Sequence, residues 1–192
     1  ILDLDPELGN QGLTSQTVEA GGEFTVATYF DAISDLTGYT VEVVFDPTHV
    51  DLIRASEEAA GEGVNILKRT AGTPIFIRSP LMEDRITMAG ALLAPTAEVA
   101  TDDSGLTAVF RFAAKEGFVG NTELSTVDVV LRSFDRVDTV RLHIVAQLTG
   151  GEAPLPPPDD EPTEDEGPIR PRIHIRGCRR SYAQRPPVPP LS

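Results

Sequence analysis

Apolar and polar positions along this chain repeat one signal, an alternation with period two that glycine, proline and aspartate interrupt. Phe24, Val26, Thr28 and Phe30 alternate with Thr25, Ala27 and Tyr29. Tyr39, Val41, Val43 and Phe45 form one side of a second run, and Thr40, Glu42 and Val44 form the other. Side chains two apart share one face of a strand, so both runs predict strands. Further strands are predicted at 74–78, 85–93, 106–112, 123–134 and 137–148. A short strand opens the chain at 1–4 and breaks at Pro6, and Thr17-Val18-Glu19 runs into a turn at Ala20-Gly21-Gly22. Only ASEEAAGEG, residues 55–63, has helical composition, and its glycines keep it short. Strands at this spacing predict an all-β sandwich.

The run GYTVEVVFDPTHVDL, residues 38–52, shows how one strand stops. Proline has no N–H to give to a ladder, so the strand is predicted to end at Asp46, just before Pro47. The carboxylate of Asp46 is short enough to fold back onto nearby N–H groups and hold the turn. Asp46 is therefore predicted to form the turn rather than to act in catalysis. Tyr39 and Phe45 are predicted core.

At Gly150-Gly151 the composition changes. Residues 152–168 carry seven acids and no base, with prolines throughout, and residues 169–192 carry six arginines and no acid. Neither stretch has the apolar content to fold alone, so a body at 1–151 is followed by an acidic spacer and a basic tail. Within the tail, Ile169, Pro171, Ile173 and Ile175 alternate with Arg170, Arg172, His174 and Arg176. That pattern predicts an extended segment that adds to a sheet edge, in its own body or in a neighbouring copy. The chain begins at Ile1, which fits either a removed leader or a start inside a longer protein.

Charge narrows the partners. The whole chain carries −14 with a pI near 4.5, which argues against nucleic acid and anionic membrane surfaces. The body alone holds ten basic and twenty-three acidic side chains, a balance of −13. No apolar run reaches the roughly 18 residues that a membrane-spanning helix needs. One cysteine, Cys178, cannot form an internal disulfide.

Several stretches together resemble the cohesin family. GYTVEVVFDPTHVDL is similar to its third strand, where an aromatic-Asp-Pro turn precedes an apolar continuation. VEAGGEFTVATYF matches the family's glycine turn and following strand. EDRITMAGALLA and DDSGLTAVFRFAAKEGFVGNTELSTVDVVLRSFD resemble its late strands, and the likeness covers roughly residues 1–148. It implies an antiparallel β-sandwich of jelly-roll topology. It also implies a non-catalytic module, extracellular or at the cell surface, whose exposed sheet docks a dockerin, a small calcium-loaded helical module. Carried over by position, that face comprises Thr40, Glu42 and Val44, then Thr87, Ala89 and Ala91, then Thr107, Val109 and Arg111. Where family members place Asn or Asp near the start of the third strand, this chain has Gly38 and Thr40.

Catalytic signatures are missing. His49, His143 and His174 have no metal-spaced neighbours, and there is no G-x-S-x-G, P-loop or G-x-G-x-x-G. The acidic run DDEPTEDEG lacks the order of an EF-hand because Pro162 interrupts it. The expectation is no enzyme, no metal and no cofactor. Two other function classes stay open. One is a structural subunit of a surface layer or filament, a homo-oligomer built through the tail. The other is a carbohydrate-binding module, which is poorly served by a chain with no Trp and only Tyr29, Tyr39 and Tyr182.

Overall fold

The computed structural model describes residues 1–4, 12–58, 63–69, 72–80, 82–101 and 104–151. The chain divides into two units, Ile1–Pro154 and Leu155–Ser192. The predicted tail strand, with Ile169, Arg170, Arg172, Ile173, Ile175 and Arg176, lies outside the described residues.

The first unit is built from β1 (Leu2–Asp3), β2 (Ser15–Val18), β3 (Glu23–Phe30), β4 (Ile33–Leu36), β5 (Gly38–Phe45) and β6 (Val50–Ser56). These are followed by β7 (Thr73–Arg78), β8 (Arg85–Leu93), β9 (Val99–Thr101), β10 (Gly105–Ala114), β11 (Gly120–Arg132) and β12 (Val137–Gly150). One sheet has the order β1-β3-β10-β6, and the facing sheet has the order β2-β12-β11-β5-β8-β7. β4 and β9 form a separate two-stranded ribbon. Among these strands every pairing is antiparallel except β2 with β12, which is parallel, so the larger sheet is mixed.

The alternation predicted for 39–45 holds in space. Tyr39, Val41, Val43 and Phe45 are at most 5% exposed, while Thr40, Glu42 and Val44 are half-buried on the opposite side. Between the sheets Phe24, Val26, Phe110 and Phe112 pack against Val43, Phe45, Ile86, Met88 and Leu124. Each such side chain contributes about 1.5–3 kcal/mol when fully buried. At the other end Leu36, Tyr39, Val41, Leu92 and Val99 pack around Ile66 and Leu67.

Of the stretch 55–63 with helical composition, residues 59–62 lie outside the described residues, and the described part begins in a strand. Ala55 and Ser56 complete β6, because the apolar continuation after Pro47 pairs with β10. Among the described residues the one helical turn is instead the 3-10 turn Ile66–Arg69. Its buried Ile66 and Leu67 draw it onto the core. Gly105 makes room for it, since a Cβ there would stand 2.4 Å from Ile66 Cδ1.

A polar network joins the two sheets behind this turn. Asn65, fully buried, donates through Nδ2 to the Tyr39 hydroxyl (2.8 Å) and to the Thr107 carbonyl (2.8 Å). Its Oδ1 accepts the Leu67 N–H at 3.0 Å. The Tyr39 hydroxyl donates to the Thr107 carbonyl, and Thr107 Oγ1 donates to the Thr28 carbonyl at 2.8 Å. Burial raises the Tyr39 pKa above that of a free phenol, against the opposing Asn65 hydrogen bond. Tyr39 therefore stays a neutral donor.

The turn at Asp46 forms as its chemistry requires. Asp46 Oδ1 accepts the Thr48 N–H at 2.8 Å and the Thr48 hydroxyl at 2.6 Å, and the Asp46 carbonyl accepts the His49 and Val50 N–H groups at 3.1 Å. These Thr48 bonds, side-chain then backbone, hold the Asp46 carboxyl below its usual pKa. A depressed folded-state pKa means that the contribution is present above the ordinary carboxylate range and is lost as pH falls through the folded value. The expected outcome is that Asp46→Asn melts below the parent at pH 7, and that the two melting curves converge below about pH 4. A gap that persists unchanged at low pH removes the carboxylate from the turn's stability.

Candidate docking face

The register of the larger sheet sets its outward residues in rows across the strands. One row runs Ile77, Ala89, Thr40, Val130 and Thr139, from β7 through β8, β5 and β11 to β12. The row beside it runs Ile75, Ala91, Gly38, Arg132 and Val137. The next in the other direction holds Thr87 and Glu42, then Val127 and Asp128 where a bulge in β11 sets two residues opposite one, then Arg141. Arg85, Val44, Ser125 and Val145 follow. Two rows of mostly small or β-branched side chains thus border a charged belt.

The belt is internally paired. Glu42 Oε1 lies 3.4 Å from Arg85 Nη1, and Thr87 donates to Glu42 Oε2 at 3.4 Å. Arg85 also forks onto Asp84 with two bonds of 3.0 Å, which lowers the Asp84 pKa. Arg141 Nε is 3.8 Å from Asp128 Oδ1. Solvated pairs of this kind add little stability, and they set which charges a partner meets.

Rigid packing backs the face. Gly90 lies in β8 directly behind it, and a Cβ there would come within 2.8 Å of Leu67 Cδ1 and 2.9 Å of Tyr39 Cζ. Tyr39 and the 3-10 turn therefore press straight onto the β8 backbone at that point. The outer edge is blunted at Pro74, which has no N–H to offer another strand.

Six of the nine sequence-predicted face residues share this surface: Thr40, Glu42, Val44, Thr87, Ala89 and Ala91. The other three do not. Thr107, Val109 and Arg111 belong to β10, which pairs with β3 and β6 in the opposite sheet. A bulge between Leu106 and Ala108 turns Thr107 inward, where it meets Thr28 and is fully buried. Val109, 3% exposed, packs with Ala27, Tyr29 and Leu106. Arg111 is exposed on that other sheet, paired with Glu23. Ile75, Ile77 and Val130 join the face without a sequence signal of their own. Their strands are predicted, but nothing local says which strands flank β5.

Tyr29 and Tyr39 are 3% and 1% exposed, so neither offers a sugar-stacking platform, and Tyr182 lies outside the described residues. Among the described residues no group of three or more His, Cys, Asp or Glu side chains is placed to hold a metal, and no helix is long and apolar enough to cross a membrane.

No protein-family model matches the sequence, and no curated protein does. Solved structures do match. One is the cohesin module of a family 33 glycoside hydrolase from Clostridium perfringens, at 10% identity over 79% of this chain and 96% of that one, TM-score 0.53. Another is the sixth cohesin of Acetivibrio cellulolyticus scaffoldin B in complex with a Cel5 dockerin mutant, at 16% identity over 71% and 96%, TM-score 0.52. A third is the cohesin of the OlpC cohesin–dockerin complex from Clostridium thermocellum, at 11% identity over 71% and 90%, TM-score 0.53. At such identities the likeness is one of fold. On that likeness the protein is a cohesin-like β-sandwich of jelly-roll type.

Proposed function

We propose that this chain is a non-catalytic, extracellular docking module that binds a dockerin-like protein through the outer face of β7, β8, β5 and β11. The observation that carries the reading is the pair of rows centred on Thr40 and Ala89. Small and β-branched side chains over a rigid sheet let another surface approach closely, and dry, well-packed centres of this kind hold most of an interface's binding energy. The paired belt of Glu42 and Arg85 then fixes register rather than strength.

The test is calorimetric titration of the full chain with a panel of purified dockerin modules, beside sedimentation of the chain alone. Ala89→Arg puts a long charged side chain at the centre of the face without touching the core. At least one dockerin should bind the parent, and Ala89→Arg should weaken it more than 100-fold with an unchanged melting temperature. Arg111→Ala, on the opposite sheet, should leave affinity within about twofold. Equal affinity of parent and Ala89→Arg, or self-association that Ala89→Arg alone abolishes, overturns the reading.

A further inference from the structure

Beyond Val44 the outer face does not end flat. The next outward residues are Glu123 and Gln147, which lie opposite each other on β11 and β12. Asn121 follows two residues before Glu123, and the turn Asp46–His49 rises beside them as a wall. Together they line a dish of about 380 Å³. Glu123, Asn121 and Gln147 are all exposed, and no Lys or Arg lines the dish.

The donors and acceptors say what such a dish accepts. Asp46 Oδ1 already takes two hydrogen bonds from Thr48, and Oδ2 stands 3.3 Å from His49 Nδ1. That carboxylate is committed to the turn and offers a charge more than a free ligand atom, so an inner-sphere metal is poorly served. What remains open is one carboxylate, Glu123, beside the side-chain amides of Asn121 and Gln147, each able to turn its oxygen toward a donor. A flat cation with several N–H groups in a fixed fork satisfies such a set, and a guanidinium has that form.

We infer that this dish receives an arginine side chain presented by the docked protein, at the margin of the face. The inference rests on the docking reading for its partner, and it adds the partner's chemistry. The body's balance of −13 draws a basic partner toward the face, and the dish gives one of its charges a defined seat. Arginine is also among the residues most enriched at interface hot spots.

The probe is Nα-acetyl-arginine methylamide, titrated into the full 15N-labelled chain, with the neutral citrulline analogue as control. Saturable shifts are expected at Asn121, Glu123, Gln147 and His49, with a millimolar Kd. The citrulline analogue should bind at least tenfold more weakly, and Glu123→Gln, an exposed substitution that leaves the fold intact, should weaken the arginine probe at least fivefold. Shifts linear in concentration, equal shifts with citrulline, or no effect of Glu123→Gln each overturn the inference. The probe never touches the rows around Ala89. A failed titration beside a successful Ala89→Arg result thus removes the dish alone, and the reverse outcome removes the docking face alone.

Discussion

Replacing Asn65 with Ala is expected to lower stability by about 2–5 kcal/mol, read as a drop in the urea midpoint with an unchanged slope. Asn65 Oδ1 satisfies the buried Leu67 N–H, and Nδ2 reaches the Tyr39 hydroxyl, the Thr107 carbonyl and, at 3.2 Å, the Glu57 carbonyl. Alanine leaves the buried Leu67 N–H without its partner, at about 1–3 kcal/mol, and also frees the half-buried Glu57 carbonyl and loses the remaining Asn65 bonds. Tyr39 and Thr107 keep their bond to each other, which limits the loss. Against a total of about 5–15 kcal/mol for a domain, this is a large fraction. Tyr39→Phe removes one hydroxyl and keeps the ring, so it should fall short of Asn65→Ala. A midpoint shift below about 0.5 kcal/mol for Asn65→Ala would falsify the network as a cross-sheet tie.

The second large effect belongs to Phe112. Its ring stacks on Phe24 at 5.5 Å with 14° between planes, and meets Phe45 edge-on at 5.2 Å and 69°. It is fully buried, so Phe112→Ala opens a cavity at the centre of the sandwich and should cost about 3–5 kcal/mol. Part of that is the aromatic pairing itself, about 0.5–1.5 kcal/mol per pair beyond area. The residue just before it provides the contrast. Arg111 is exposed, and Arg111→Ala should change stability by less than about 0.5 kcal/mol. Chemical denaturation of both variants measures the alternation of β10 directly, and comparable losses at the two positions would contradict the burial pattern.

Much of the strand layout is legible in the residues alone. The bounds of β8 at Arg85 and Leu93 follow from period two, and a missing proline N–H places the end of β5 to within one residue, at Phe45 rather than the predicted Asp46; both are local properties. β4 and β9 leave no such signal. β4 spans four residues, and Asp35 within it has φ of 59°, which breaks the alternation. The strand predicted at 123–134 runs past the end of β11, since Ser133 and Arg136 close a hairpin that leaves Phe134 57% exposed at its tip.

The candidate face divides along the same line. Alternation alone places Thr40, Glu42 and Val44 opposite Tyr39, Val41 and Val43, and Thr87, Ala89 and Ala91 opposite Ile86 and Met88. It says which side of a strand turns outward, because that depends on neighbours one and two residues away. Which sheet a strand joins depends on partners far along the chain, chosen by ladder hydrogen bonds and crossing connections that leave no periodic trace. β10 is predicted as a strand just as β5 is, and only its pairing with β3 and β6 puts Arg111 on the opposite surface. The bulges are equally non-local in effect. One turns Thr107 into the core, and another sets Val127 and Asp128 beside Glu42. The dish joining Asp46 and His49 to Glu123 and Gln147 exists because β11 pairs with both β5 and β12, a neighbourhood fixed by folding rather than by spacing.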